Sequence, residues 1–219
     1  MIPLRDVIPS RTTPYITVTI ILLNAIAWCY ELVLPRNVLP AFLQIYGVVP
    51  ADFEASTLLT SMFLHGSWMH VIGNMWYLWI FGDNVEDRVG HGGFIVFYLL
   101  CGSVAALGQT LVDPESTLPM IGASGAIAGV MGAYFVLYPR SRVLTLIPLF
   151  IYWEIIEVPA IMLLGLWFLM QLFSAGAIAV TASTGGGGVA FMAHIAGFVA
   201  GIGAIYVFRR RQRPQQDWA

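Results

Sequence analysis

Six long apolar stretches divide this chain of 219 residues, and they restrict its fold more than any other feature. They cover about 15–34, 65–81, 94–112, 122–138, 158–180 and 189–208. A membrane-spanning helix needs roughly 20 mostly apolar residues. Hydrophobic residues make up 58% of the chain and charged residues only 10%, which excludes an ordinary water-soluble fold. We therefore predict an all-α polytopic membrane protein of six transmembrane helices, forming a single domain over 1–219 in the lipid bilayer.

The arginines predict the orientation of these helices. The ten basic residues are all arginines, and an even number of spans places nine of them on the side of both termini, leaving Arg36 on the other. Cytoplasmic loops carry the excess of positive charge, so we expect both termini in the cytoplasm. The basic residues of 209–219 form a short cytoplasmic tail instead of a broad basic face, so no nucleic-acid partner is expected.

Four polar residues inside the predicted spans call for an explanation: His70, Asn74, Ser124 and His194. Such side chains are costly in a membrane and tend to face a cavity or a partner. All four lie near the start of a span that runs from outside to inside, so we expect them at one depth, close to the outer face.

Small residues flank both Ser124 and His194 at three- and four-residue spacing, a pattern that permits close helix approach. Two such stripes can bring the hydroxyl and the imidazole within hydrogen-bond distance, the geometry in which a serine nucleophile and a histidine base hydrolyse an amide. We expect no carboxylate in a span at this depth, which favours a dyad. The alternative is that both stripes are packing motifs only, with Ser124 bonded to its own helix.

His70 and Asn74 are four residues apart, so they project from one face of span two. They fit the need for donors to a developing oxyanion, or they could bond neighbouring helices for stability. Spans two and six contain no His-Glu-x-x-His pair and no carboxylate ligand, so neither a metal nor any other cofactor is predicted.

Three segments resemble the signature motifs of the rhomboid intramembrane proteases, in order, spacing and placement. They are Gly122-Ala123-Ser124-Gly125, the segment His65 to Asn74, and Ala193-His194-Ile195-Ala196-Gly197. The resemblance implies a six-helix fold in which Ser124 attacks the transmembrane segment of a substrate near the outer face. His194 would then be the base, and His70, Asn74 and backbone amides near Ser124 would stabilise the oxyanion. Span five and the loop at Gly185 to Gly188 would gate substrate entry.

Further features of the chain match the family or depart from it. Glu86 and Arg88 resemble a glutamate and arginine that follow span two, for which we expect a structural role. Many members carry a Trp-Arg pair in the first outer loop, where this chain has Ser56-Thr57. Some carry a tyrosine four residues after the serine, where Ala128 removes a ring that could stack on His194.

The function predicted from the sequence is an intramembrane serine endopeptidase that cleaves transmembrane protein substrates, in a prokaryotic plasma (inner) membrane. The main alternative is a noncatalytic rhomboid-like protein that binds membrane clients. A small transporter is a third alternative, but transporters usually place their polar residues near the bilayer midplane, and here they collect near one surface.

Overall fold

The structure, a computed structural model, describes residues 1–149, 152–181 and 190–209. These residues form mostly helices, with a small antiparallel sheet. The α-helices are α1 (Tyr15–Val33), α2 (Leu39–Tyr46), α3 (Thr57–Thr60), α4 (Trp68–Val89), α5 (His91–Val112), α6 (Ser124–Leu137), α7 (Ala160–Thr181) and α8 (Phe191–Phe208). The strands are β1 (Ile2–Asp6), β2 (Arg142–Leu149) and β3 (Tyr152–Pro159).

Four of the described helices are long and apolar enough to cross a membrane: α1, α5, α7 over Ala160–Ala177, and α8. The protein is therefore a multi-pass membrane protein. α6 is apolar but has only 14 residues, and α4 has 22 residues but carries acidic and basic side chains along its last two turns. These two helices occupy the positions of the second and fourth predicted spans.

α4 is the helix whose predicted bounds differ most from the structure. The sequence places the end of span two at about 81, with Glu86 and Arg88 in a following loop, whereas the helix continues to Val89. The acidic side chains of these additional turns bind the N-terminal segment, and these bonds stabilise the longer helix. The Asp87 carboxylate accepts hydrogen bonds from the backbone N–H groups of Arg11 and Thr12 and from the Thr12 hydroxyl.

The Glu86 side chain caps α1 from the neighbouring helix. α1 begins after Pro14, whose side chain makes no capping hydrogen bond. The carboxylate of Glu86, which is fully buried, instead accepts from the N–H groups of Ile16 and Thr17 at 3.0 and 2.8 Å and from the Thr17 hydroxyl at 2.7 Å. First-turn N–H groups have no acceptor within their own helix, and negative charge is favourable there. The structure thus places Glu86 where a structural role was expected.

The three-stranded sheet corrects the prediction of an all-α protein. Its order is β1-β2-β3, with both pairs antiparallel and an irregularity between Pro3 and Arg5. The hairpin β2–β3 connects α6 to α7 and is rich in the β-branched and aromatic residues that favour strands. β1 then pairs Ile2 with Leu146, a partner more than one hundred residues away. The apolar stretches predict no strand in this connection.

The core lies between α4, α5 and α6, beyond the first turn of α6. Its largest fully buried side chains are aromatic: Tyr98, Tyr134, Phe81, Phe94 and Phe97. The Phe81 and Tyr134 rings meet edge to face at 5.0 Å, a favourable aromatic geometry. This packed region supports the helix ends that carry the predicted site residues.

Two predicted features lie outside the described residues. They are the loop at Gly185 to Gly188 and the basic tail 209–219 beyond Arg209.

Candidate active site

α6 and α8 contact each other backbone to backbone through glycines. A Cβ atom on Gly197 would overlap the carbonyl oxygen of Gly125, and one on Gly201 would overlap that of Gly129. The two helices can approach this closely only because glycine has no side chain. This confirms the close approach predicted from the two small-residue stripes.

The close contact brings Ser124 and His194 together. Ser124 is the first residue of α6, and His194 lies in the first turn of α8. The His194 Nε2 atom is 2.8 Å from the Ser124 Oγ atom, within hydrogen-bond distance, and both residues are half-buried. A hydroxyl bonded to an imidazole nitrogen in this way can lose its proton to the ring as it attacks an electrophile.

His194 has a second partner that the sequence reasoning missed. Its Nδ1 atom is 2.9 Å from the Oε1 atom of Gln171, in α7. The ring of Trp167, one helical turn before Gln171, lies 5.8 Å from the imidazole ring. Gln171 could have been found from the rule used for the other site residues, because it is a strongly polar side chain in an apolar span.

Gly122 forms the turn that leads into Ser124, and His70 lies directly against it. The φ of Gly122 is +124°, a conformation that favours glycine. A Cβ there would also stand 2.7 Å from the His70 Nε2 atom. The backbone N–H of Gly66 donates to His70 Nδ1 at 3.4 Å, which leaves the ring hydrogen on Nε2. His70 therefore presents an N–H donor to the turn beside Ser124.

Asn74 lies one step farther from this turn. Its Nδ2 atom is 3.8 Å from the Cβ position built on Gly122 and 3.0 Å from the His65 Nε2 atom. The structure thus brings His70 and Asn74 to the Gly122 turn that precedes Ser124, with His70 nearer to the turn. The Asn74 amide is thus hydrogen-bonded to His65, which precedes α4.

Glu31 is a buried carboxylate that corrects the expectation of no carboxylate in a span at the depth of the site. It lies in α1 with only 2% of its surface exposed, and it accepts hydrogen bonds from the His65 backbone N–H at 3.1 and 3.3 Å. Its signal in the sequence is a charged residue inside an apolar span. Glu31 fixes the segment that carries His65 and so supports His70 and Asn74 indirectly.

The first loop is held by local bonds where Ser56-Thr57 replaces the Trp-Arg pair. The Thr57 hydroxyl donates to the Glu54 carbonyl and the Thr60 hydroxyl to the Tyr46 carbonyl, both at 2.6 Å. An isolated β-bridge between Val48 and Met120 ties the loop to the segment before Ser124.

A small cavity of about 40 Å³ opens beside Ser124. Its walls are mainly glycine and alanine, and they include Gly102, Ala105, Gly125, Ala126, Ala190 and Ala193. The volume suits a water molecule or a small apolar group. Across residues 1–149, 152–181 and 190–209, no cluster of three His, Cys, Asp or Glu side chains could hold a metal ion.

A family model described as "Rhomboid domain" matches residues 52–211, well over half of the chain. The chain belongs to the rhomboid family. This family includes intramembrane serine proteases and also inactive members.

Three relatives of this rhomboid-family chain come from a plant, a yeast and a bacterium. Rhomboid-like protein 11, chloroplastic, of Arabidopsis thaliana is 27% identical over 89% of this chain and 69% of that protein. Rhomboid protein 1, mitochondrial, of Saccharomyces cerevisiae is 31% identical over 47% of this chain and 32% of that protein. Rhomboid protease GluP of Bacillus subtilis is 37% identical over 38% of this chain and 16% of that protein. The chain therefore spans a third or less of the latter two relatives.

These relatives do not support one particular membrane. Two of the three carry organelle names and one is bacterial. The predicted prokaryotic plasma membrane stays a prediction.

Proposed function

We propose that this chain is an intramembrane serine endopeptidase, with Ser124 as nucleophile and His194 as general base. The observation that carries the proposal is the 2.8 Å contact between Ser124 Oγ and His194 Nε2 at the adjoining ends of two apolar helices. A packing role alone does not require a hydroxyl and an imidazole to face each other there. The substrates are transmembrane proteins, whose spans reach Ser124 from the lipid bilayer.

The reaction begins when Ser124 Oγ attacks the carbonyl carbon of the scissile bond and its proton moves to His194 Nε2. The His70 Nε2–H then donates to the oxyanion, together with N–H groups of the first turn of α6, which have no acceptor within that helix. Protonated His194 passes its proton to the leaving amine, and water hydrolyses the acyl-enzyme. Asn74, which lies farther from the Gly122 turn than His70 does, adds to the stabilisation of the oxyanion.

The proposed topology has six spans, with α4 and α6 as the second and fourth, and both termini in the cytoplasm. The single membrane domain covers 1–219. α6 is short for a span, but it is surrounded by other helices, and ten of its residues are buried inside the protein. Its ends therefore need not reach both lipid surfaces by themselves. Cleavage then takes place near the outer face.

The first experiment uses the protein purified in detergent and a model substrate with one transmembrane segment. Wild type, Ser124→Ala and His194→Ala are compared, with Ser103→Ala in α5 as a matched serine control. We expect cleavage by wild type and Ser103→Ala, and a loss of at least about 10⁴-fold for the other two variants. Thermal unfolding shows that each variant is folded.

A fluorophosphonate probe makes the result independent of the choice of substrate. It should label wild-type protein on Ser124 and leave folded Ser124→Ala unlabelled. A folded wild type that neither cuts several substrates nor reacts with the probe would favour the noncatalytic, client-binding alternative. Cleavage by Ser124→Ala would show that the nucleophile is assigned wrongly.

A further inference from the structure

Gln171 places a strong hydrogen-bond acceptor behind the imidazole of His194. Its Oε1 atom lies 2.9 Å from His194 Nδ1, on the side of the ring away from Ser124. Its two neighbours along α7, Met170 and Leu172, are exposed and apolar. A glutamine is costly on such a helix unless it is bonded, so its position against the base calls for a specific role.

The bond to Gln171 selects one tautomer of His194. An amide oxygen can only accept, so His194 Nδ1 must carry the ring hydrogen when Oε1 faces it. The lone pair of the neutral ring then lies on Nε2 and points at the Ser124 hydroxyl. In the other tautomer two acceptors would face each other at Nδ1 unless the amide turned over to present its NH₂ group, and Nε2–H could not take the serine proton. Only the selected tautomer is a general base for Ser124.

Trp167 supports the same imidazole from the same helix. Trp167 and Gln171 are four residues apart, so they project from one face of α7. The Trp167 ring lies 5.8 Å from the ring of His194 at 39° and 6.0 Å from that of Phe198. Position 128 on α6 holds alanine and offers no ring. The orientation of the base is therefore set from α7.

We propose that Gln171 is a positioning residue for catalysis, which holds His194 in the Nδ1–H tautomer with Nε2 directed at Ser124. The proposal rests on the proposed serine protease function. In a Ser-His-Asp triad a buried aspartate fills this position and also stabilises the imidazolium. Gln171 supplies the orientation without the negative charge. The groups in contact with His194 are the Ser124 hydroxyl from α6 and Gln171 and Trp167 from α7. The ring of His70 from α4 is a titratable group close enough to act on it electrostatically.

The test compares Gln171→Met, which keeps the volume and removes the acceptor, with Gln171→Glu, which keeps an acceptor and adds charge. Gln109→Met is the matched control, because Gln109 lies in the apolar helix α5 and its Oε1 atom has no hydrogen-bond partner among the described residues. We expect Gln171→Met to lower kcat by about 10- to 100-fold, by analogy with the loss of a partner that orients a metal-binding histidine. KM and the thermal midpoint should stay at wild-type values, and Gln109→Met should match wild type.

Gln171→Glu gives a readout that a purely structural role would not move. A carboxylate beside the ring stabilises the imidazolium, so the acidic limb of the kcat profile should shift to higher pH, by about one unit or more. Turnover above that limb should stay within a few-fold of wild type, since the acceptor at Nδ1 is retained. An unchanged kcat in Gln171→Met, or a Gln171→Glu profile that coincides with wild type, would overturn the positioning role.

A spectroscopic measurement separates this proposal from the proposed function. In protein labelled with ¹⁵N-histidine, the His194 signals, identified with His194→Ala, should show hydrogen on Nδ1 in wild type and a tautomer mixture in Gln171→Met. A wild type with hydrogen on Nε2 would contradict the proposal whatever the activity. Inactive wild-type protein with the expected Nδ1–H signal would contradict the protease function and leave the hydrogen-bond assignment correct. Loss of activity in Gln171→Met with a raised KM or a lower thermal midpoint would identify a structural role and overturn the proposal.

Discussion

The two ends of the helix bundle use their polar side chains differently. At one end, the Glu86 end, the carboxylates of Glu86, Asp87 and Asp6 each accept two or more hydrogen bonds. Their donors come mainly from the N-terminal segment and from neighbouring helices. At this end the polar groups join parts of the chain that are far apart in the sequence.

At the other end, the Ser124 end, the polar side chains bond mainly one another and leave hydrogen-bonding capacity unused. Ser124 bonds His194, and Asn74 bonds His65, whose Nδ1 atom is buried with no partner in the part of the chain that the structure describes. The His70 Nε2 atom faces the Gly122 turn. Unused donors are what a developing oxyanion needs. Substitutions should therefore lower stability at the Glu86 end and turnover at the Ser124 end.

His70→Ala tests the Ser124 end and should have a larger effect than substitutions of Glu86 or Asp6. Removing one oxyanion donor lowers kcat by about 10²- to 10³-fold in well-studied serine proteases. We expect this loss in the cleavage assay, with KM and the thermal midpoint unchanged, and a smaller loss for Asn74→Ala, whose amide is farther from the Gly122 turn. The matched histidine control is His91→Ala at the Glu86 end, which should lower stability and not kcat. Wild-type kcat in His70→Ala would remove this residue from the proposed oxyanion site.

Glu86→Ala tests the opposite end. It leaves the N–H groups of Ile16 and Thr17 and the Thr17 hydroxyl without their acceptor, and it frees His91, whose Nδ1 atom lies 2.5 Å from Glu86 Oε1. Unsatisfied buried donors cost about 1–3 kcal/mol each, so we expect the free energy of unfolding to fall by about 3 kcal/mol. Denaturation in detergent measures the free energy of unfolding of wild type, Glu86→Ala and the conservative variant Glu86→Gln.

The turnover of the remaining folded Glu86→Ala protein should equal that of wild type. A fall in kcat larger than the loss of folded protein would show that the two ends are coupled. The division of roles between them would then be wrong.

Much of this division could be predicted from local sequence patterns. Five of the six apolar stretches predict helix bounds to within about three residues, because a span needs a continuous run of apolar residues. The glycine stripes predicted the contact that brings Ser124 to His194. Both signals lie within short segments of the chain, so a single sequence displays them.

The features that were missed depend on distant parts of the chain. The pairing of β1 with β2 joins Asp6 to Val143, and nothing near either strand identifies its partner. α4 extends beyond 81 because its acidic turn binds a segment about 70 residues earlier in the chain. Gln171 is a different case, since its polarity in an apolar span was visible. What the sequence could not show was that it faces His194.

Asp6 provides the smallest test of the comparison, through pH. Its carboxylate accepts from the Tyr134 hydroxyl at 2.7 Å and from the Asn84 amide at 3.0 Å, at the place where β1 meets α4 and α6. Burial raises the pKa of Asp6 from 3.8 to about 6. The hydrogen bond from Tyr134 opposes this rise, and the nearby charge of Asp83 adds to it. The folded protein therefore binds the Asp6 proton more tightly than the unfolded chain does.

The sign of the pH effect follows from this difference. Stability from protonated Asp6 is fully present below about pH 3.8 and is lost as the pH rises through about 6. Asp6→Asn, which cannot titrate, should therefore lose less stability than wild type between pH 4 and pH 7. Because Asp6 is partly exposed, solvent screening reduces the expected difference to about 1 kcal/mol. Denaturation midpoints at the two pH values measure it, and the rate of Ser124 labelling by fluorophosphonate at pH 7 should be equal in both proteins. Parallel stability profiles would mean that the Asp6 carboxylate is solvated like a surface group, whereas a changed labelling rate would show that this strand acts on the Ser124 end.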